Sequence, residues 1–393
     1  MITAQYRTPT IFMEADNKKV PGVWPVGLDI GYSGVKVFSG NAIVCFPSYA
    51  SVSSEESWVS IASDTDDDSR SIMYMDEHGT IWDVGADAQD MISVSDTSAG
   101  SLAIYGRSRY YSPMFKVIMR VGIAAGIRTN RFGGPEGKTL KVQTGLPPKY
   151  IISDSADLLS VIAGHHVFKV KFGSGDWESF DFILSEQDIS IMDQPEGTLF
   201  SIATDRDIRL TKNATRYFNS NLLIVDPGFG TLDLYPKFKK KIGREASQTF
   251  TELGMKQVMK DTANEILRRH NFEVSVPAMQ KFLETGLVYK REGRRITKVP
   301  FDDILEACSR DVCNKTVDRI FEVYGPTLEF DYIVLTGGTG EAWFRMFQEN
   351  ESLKFCGTVQ VIPGNYGDES LPWLFSNVRG YFIFMVTRFA TRR

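Results

Sequence analysis

Two stretches of the chain carry the same pattern of apolar and small residues. Val26-Gly-Leu-Asp-Ile-Gly31 is an apolar run ending in Asp-x-Gly, and Val35-Lys-Val-Phe38 returns after a short polar turn. This predicts strand, tight turn, strand. The pattern recurs over 221–234, where Leu-Leu-Ile-Val-Asp226-Pro-Gly-Phe-Gly-Thr-Leu-Asp-Leu234 again runs apolar, glycine-rich, apolar. A helical period then sets in. Met255, Met259, Ala263, Ile266 and Leu267 stand at i, i+4, i+8, i+11 and i+12, which predicts an amphipathic helix with these residues in the core. Ser153 to Gly164 also reads as helix, and His165-His166 opens a β-rich stretch. Adjacent histidines on a strand point to opposite faces, so they do not ligate one metal together. A further helix is predicted over Asp302–Tyr324, with Ile304, Cys308, Val312 and Ile320 on its apolar side. Asp302 is its expected N-cap and Gly325-Pro326 its stop. Asp331-Tyr-Ile-Val-Leu335 reads as a buried strand running into Thr336-Gly-Gly-Thr-Gly340, with a helix expected from Glu341. Alternating strands and helices define an α/β class. The two copies of the strand–turn–strand unit lie about 200 residues apart, which predicts two similar domains facing each other.

Composition narrows the function classes. With 393 residues, 42% apolar and 12% aromatic, the chain can fill more than one core and is not a disordered segment. Its 44 Lys+Arg against 49 Asp+Glu leave a net charge of −5, which argues against a globally basic nucleic-acid-binding surface. Four cysteines without C-x-x-C spacing and four histidines make neither a disulfide scaffold nor a zinc cluster. There is no secretory apolar region at the start and no apolar run long enough to span a bilayer, so a cytoplasmic, reducing setting is expected. The acidic run of Asp64, Asp66, Asp67 and Asp68 reads as a solvated loop rather than a cation site. Lys237, Lys239, Lys240 and Lys241 likewise read as a solvated hairpin, the rival reading being a contact for a filament neighbour or an acidic partner. Gly133-x-x-x-Gly137-Lys138-Thr139 imitates a phosphate-binding P-loop, but its glycines are one residue too close and Pro135 removes a donor. The tail from Trp373 carries apolar residues nearly all round among Arg379, Arg388, Arg392 and Arg393, which argues burial rather than a membrane-surface helix.

The chemistry sits in three glycine-rich segments. In Asp29-Ile-Gly-Tyr-Ser-Gly-Val-Lys36, Gly31 and Gly34 let successive N–H groups point into one cavity, as a phosphate nest requires. Ser33 adds a hydroxyl donor and Lys36 a point charge. Asp29 cannot face a bare phosphate, but it can hold Mg²⁺ through water. Asp226-Pro-Gly-Phe-Gly-Thr-Leu-Asp233 repeats the arrangement, with Gly228, Gly230 and Thr231 as donors and Asp226 as a second Mg²⁺ contact. Each alone could be a plain glycine hairpin; two of them in facing domains can clamp phosphates from both sides. Thr336-Gly-Gly-Thr-Gly340 follows a strand and precedes a helix, where glycines admit a base or ribose closely.

In this order and spacing the three segments resemble the ATPase superfamily of actin, the DnaK-type chaperones and the sugar kinases. The first two look like its phosphate motifs and Leu335–Gly340 like its adenosine motif. Ile191-Met-Asp-Gln-Pro-Glu-Gly197 resembles the connecting segment where a Gln or Glu positions the attacking water, which maps onto Gln194, with Glu196 as the rival. Trp82-Asp-Val-Gly85, Val142-Gln-Thr-Gly-Leu-Pro147 and Ser376-Asn-Val-Arg-Gly-Tyr381 are similar to the ParM-type plasmid-segregation actins. Two residues depart from the pattern: Thr339 stands where a third glycine is common, and Pro227 removes one N–H from the second loop.

The resemblance implies an actin-like (ribonuclease H-like) fold of two α/β domains around a nucleotide cleft. An extension over 1–22 has no readable function. Domain I covers 23–200 and is closed by 370–393, and domain II covers 201–369. The implied ligands are Mg²⁺ and ATP, with GTP as the alternative. The implied nucleotide-binding set is Asp29, Gly31, Tyr32, Ser33, Gly34, Lys36, Asp226, Gly228, Phe229, Gly230, Thr231, Asp233, Gly254, Gly337, Gly338 and Thr339. Asp29 and Asp226 would hold the metal, and Gln194 or Glu196 would serve catalysis. The function so implied is a filament-forming ATPase that segregates plasmid DNA. Its partners would be copies of itself and a DNA-binding adaptor at a plasmid centromere, with no direct DNA or membrane contact. The rivals are a small-molecule kinase of the same fold and a low-turnover scaffold or division actin.

Overall fold

The structure is a computed structural model that describes residues 3–53, 70–92, 106–239, 241–292, 295–325, 328–357 and 359–390. The acidic run over 64–68, Lys240, Pro326, Arg392 and Arg393 lie outside the described residues.

The first sheet has strands β1 (Ile11–Glu14), β2 (Val23–Ile30), β3 (Gly34–Ser39), β4 (Ala42–Pro47), β5 (Thr139–Leu146) and β6 (Ile189–Asp193), in the order β1-β4-β3-β2-β5-β6. β2, β3 and β4 form an antiparallel meander, while β2, β5 and β6 run parallel. Strands buried on both faces read as continuous apolar runs, and both faces of this sheet are covered. Helix α1 (Pro113–Ile127) packs with Val26, Leu28, Val35 and Val37 on one side. The chain's last described helix, Ser376–Ala390, packs on Phe38, Ile43 and Cys45 on the other. A second, antiparallel sheet of five strands is inserted into this domain, in the order Glu178–Leu184, Gly164–Phe172, Ile72–Met75, Ile81–Val84, Ala50–Val52. Helix α2 (Ile151–Ile162) leads into it, and the two histidines fall on opposite faces as expected. His165 bonds Asp181 at the surface, while His166 is buried and takes part in hydrogen bonds with Arg120 and the Ile162 carbonyl.

After helix α3 (Gln194–Ala203) and the short helix α4 (Ala214–Asn219), the third sheet repeats the meander. Strands β7 (Leu222–Pro227), β8 (Leu232–Phe238), β9 (Tyr332–Leu335) and β10 (Gln360–Pro363) stand in the order β8-β7-β9-β10, and β7, β9 and β10 run parallel. Helices α5 (Met255–His270), α6 (Asp302–Tyr324) and α7 (Gly337–Glu349) flank this sheet. The terminal helix, α8 (Ser376–Ala390), returns to the first domain and crosses α3 where two glycines meet. A Cβ on Gly380 would sit 1.8 Å from the Gly197 carbonyl oxygen, so neither helix can carry a side chain at that crossing.

Several local expectations need correction. Leu267 is exposed, because the buried face of α5 runs through Met255, Val258, Met259, Thr262, Ala263 and Ile266 and ends before it. Phe301, not Asp302, occupies the N-cap of α6, and Asp302 is its first helical residue. The helix expected from Glu341 begins at Gly337, so the glycines form its first turn. Lys237 is not solvated. Its Nζ is buried and donates to the carbonyls of Tyr217, Phe218 and Ser220, capping the C-terminal end of α4.

The N-terminal residues are part of the fold. β1 pairs with the edge strand β4 in the first domain, whereas the single 3₁₀ turn Thr3–Tyr6 packs against α6 and α7 of the second. Tyr6 shares a hydrogen bond with Ser309 at 2.6 Å, and Ser309 also accepts from the Trp343 indole at 2.9 Å. Residues 3–14 therefore bridge both domains. Tyr6→Ala removes a half-buried ring and one buried hydrogen bond, with an expected loss of about 2 kcal/mol in a denaturant titration. An unchanged midpoint would mean that this segment does not dock.

Candidate functional site

The two meanders place their turns against each other. β2 delivers Asp29 and β7 delivers Asp226 to one interdomain cleft, and both carboxylates are buried. Of the residues expected from sequence, the cleft is lined by Asp29, Gly31, Tyr32, Ser33 and Lys36 from the first turn. The second turn supplies Asp226, Gly228, Phe229, Gly230, Thr231 and Asp233, and the start of α7 supplies Gly337, Gly338 and Thr339. Gln194, at the first turn of α3, completes the set. The turns are in contact: a Cβ on Gly230 would meet the Tyr32 ring at 2.4 Å, so only glycine leaves room there.

Three expected residues stand apart from the cleft wall. Gly34 lies in β3, where a Cβ would meet Thr8 Cγ2 at 2.6 Å. Gly254 backs the second turn, ahead of Met255 and Lys256, whose N–H groups bond the Gly228 and Phe229 carbonyls at 3.0 and 2.8 Å. Glu196 is half-buried further along the first turn of α3.

Polar contacts orient the acids. Lys36 stands opposite Asp29 in the β2–β3 register, with Nζ 3.1 Å from Asp29 Oδ2. Burial works to lower the Lys36 ammonium, but the adjacent Asp29 charge outweighs it and holds the group above its ordinary range. Gln194 Nε2 donates to Asp29 Oδ1 at 3.5 Å. Asn377, in the first turn of α8, donates through Nδ2 to Asp226 Oδ2 at 2.7 Å. Its own Oδ1 accepts from Thr198 at 2.7 Å, and Thr198 pairs with Thr336 at 2.8 Å. α3, α8 and the end of β9 are thus tied together beneath the second turn.

Burial raises the Asp226 carboxyl to about 6, with Asp29 adding repulsion and the Asn377 amide opposing. Burial also lifts Asp233 to about 7, despite donors from Thr249 at 2.5 Å and Thr231 at 3.2 Å. An acid whose folded pKa is raised stabilises the fold only while protonated. The Asp233 contribution is therefore full below its ordinary value of 3.8 and is lost as pH climbs through about 7. Between pH 4 and 8, in nucleotide-free, Mg²⁺-free protein, this loss is on the order of 4 kcal/mol. Denaturant titrations across that range should show Asp233→Asn with a flatter stability profile than wild type. Parallel profiles would contradict the burial of an ionisable acid here.

Some cleft residues carry no sequence signal of their own. Gln5, Tyr6, Arg7, Thr8 and Pro9 form one wall, Arg109 and Tyr150 another, and Asn377 and Leu374 close the end near α8. Asn377 lies within the Ser376–Tyr381 segment noted above, but its partnership with Asp226 depends on α8 returning across the chain. The described residues contain no cluster of three or more His, Cys, Asp or Glu suited to a metal, and no helix among them is long and apolar enough to cross a membrane.

Two α/β domains, each built on a meander whose turn faces a shared cleft, define an actin-like fold. Residues 27–197 match the family model for the N-terminal domain of actin-like proteins. Solved structures with this fold include a ParM filament from Clostridium botulinum (19% identity, 93% of this chain and 99% of that one, TM-score 0.68). The actin-like protein Alp7A is similar over 94% of this chain and 98% of its own, at 16% identity and TM-score 0.63. The archaeal actin homologue Ta0583, in complex with ADP, is similar over 93% and 99% at 16% identity and TM-score 0.60. No curated protein matches the chain by sequence.

Proposed function

We propose that this chain is an ATP-hydrolysing, filament-forming actin that moves plasmid DNA. The observation that carries the reading is the facing pair of Asp-x-Gly turns, with Tyr32 of one seated on Gly230 of the other and Gln194 reaching Asp29. Phosphoryl transfer to water needs positioning and charge neutralisation rather than covalent chemistry. The N–H groups of both turns, Ser33, Thr231 and Lys36 supply donors to the phosphates. Gln194 orients the water. Asp29 and Asp226 fit a hydrated divalent cation: both are buried oxygen donors on one cleft, and the burial and Asp29 repulsion that raise Asp226 are what such a cation would offset. Mg²⁺ bound there supplies charge neutralisation for the terminal phosphates. Gly337, Gly338 and Thr339 would hold the base.

The ADP in the archaeal neighbour and the filament in the clostridial one support nucleotide binding and self-assembly. Domain closure on nucleotide, coupled to head-to-tail contacts, yields an open filament. The net charge of −5 favours a separate DNA-binding adaptor over direct DNA contact, in the cytoplasm. The test is light scattering recorded with phosphate release after adding ATP and Mg²⁺. Scattering should rise and then fall as phosphate appears. Phosphate release only on addition of a small-molecule acceptor would favour the kinase reading instead, and a persistent rise without phosphate would favour the scaffold.

A further inference from the structure

A turn held between α1 and α2 reaches the cleft. The 3₁₀ turn Arg107–Tyr111 precedes α1, and its alternate residues face opposite ways. Arg107 and Tyr111 point outward and hold Asp157 of α2, the tyrosine hydroxyl donating at 2.7 Å. Ser112 caps α1, accepting from the Phe115 N–H at 3.1 Å. Arg109 points inward and lines the same cleft as Asp29, Gln194 and Asp233. The turn is thus pinned on both sides, and Arg109 is presented from a fixed base.

The surroundings of Arg109 are unusual for a buried cation. It is 7% exposed, yet no carboxylate among the described residues lies within ion-pair distance of its guanidinium. Its one side-chain hydrogen bond is a long contact of 3.5 Å to the Tyr110 hydroxyl. Instead it is caged by rings: Tyr32 at 4.5 Å, Tyr110 at 5.0 Å and Phe115 at 5.3 Å from the guanidinium carbon to the ring centroid. Arginine stays charged in proteins, and a desolvated charge needs an opposite charge or several acceptors. Ring faces offset only part of that cost. Four of its five N–H donors have no acceptor among the described residues, in a cleft whose Ser33, Thr231 and Lys36 also suit an anion. Tyr32 belongs to the first phosphate turn and rests on Gly230 of the second, so the guanidinium stacks on the residue that joins the two turns.

We infer that Arg109 is a nucleotide-contacting residue, a cation delivered by the turn before α1 to the terminal phosphate. The inference rests on the proposed nucleotide reading of the cleft. The planar fork can take two phosphate oxygens at once in a fixed bidentate geometry, whereas a lysine acts as a point charge with freely rotating donors. Arg109 therefore distinguishes the triphosphate from the diphosphate.

The experiment compares ADP with a non-hydrolysable ATP analogue, each with Mg²⁺, by calorimetric binding to wild type, R109A and R109K, alongside phosphate release from ATP. The expected result is a roughly tenfold loss of analogue affinity in R109A, with ADP affinity nearly unchanged and turnover lowered by at least the same factor. R109K retains the charge and should recover part of the analogue affinity. It also keeps the test open if R109A fails to fold. Equal losses for ADP and analogue, or wild-type behaviour of both variants, would reduce Arg109 to a cage residue and overturn the inference. A wild-type chain that binds neither nucleotide would overturn the reading of the cleft itself, and this inference with it.

Discussion

Gln194→Ala should leave assembly intact and slow phosphate release by about 10²-fold. The side chain stands at the first turn of α3, where Pro195 fixes the helix start and the amide reaches Asp29 Oδ1 at 3.5 Å. A neutral amide can accept from water and orient it, but it is a poor base, so its contribution is geometric. The donors proposed for the phosphates belong to the turns at Asp29 and Asp226 and remain in the variant. Subunits should still close and polymerise, and filaments should persist because hydrolysis no longer weakens them. A paired time course of light scattering and phosphate release reads both effects. Wild-type release would identify Gln194 as a helix-start residue only. Glu196, further along the same turn, would then be the residue to test.

Asp226→Ala should abolish nucleotide-driven assembly at low Mg²⁺. Losing one residue that orients a bound metal typically costs 10–100-fold in metal affinity, and of the two carboxylates proposed to hold it only Asp29 would remain. The fold should survive. Burial already raises Asp226 to about 6, so its charge opposes folding near neutral pH, and Asp226→Asn removes that charge at constant volume. The asparagine variant should therefore unfold at the same or a higher denaturant midpoint while failing to assemble. Alanine leaves the Asn377 amide, now 2.7 Å from Asp226 Oδ2, without its acceptor, and is expected to be the less stable of the two. Normal polymerisation of Asp226→Ala at low Mg²⁺ would refute the placement of the metal.

Much of the site is written locally in the chain. The strand–turn–strand units at Asp29 and Asp226 are legible because each needs only neighbouring residues: an apolar run, glycines where the backbone doubles back, and an apolar return. Their duplication carried the two-domain arrangement. Element ends were less legible. Thr336 to Gly340 reads as a loop because glycine disfavours helix, but the chain turns into α7 from Gly337, an end effect of packing β9 against the cleft. Lys237 reads as solvent-facing from its basic neighbours, yet the carbonyls at the end of α4 provide three acceptors that no local pattern announces.

What the sequence determined by itself is therefore the pair of turns, the acids at their strand ends and the α/β alternation, since those follow from periodicity and backbone freedom within about ten residues. The tertiary structure decided which distant residues share the cleft. Asn377 reaches Asp226 across 151 positions only because α8 returns to the first domain and crosses α3 at Gly197 and Gly380. Tyr6 meets Ser309 across 303 positions because β1 finds a free edge at β4 while the turn before it finds the helices of the second domain. Arg109 enters the cleft because Asp157 on α2 pins the turn that carries it. Such contacts depend on chain reversal and on surfaces that exist only once the sheets have formed, so their energies are invisible to any window read along the chain.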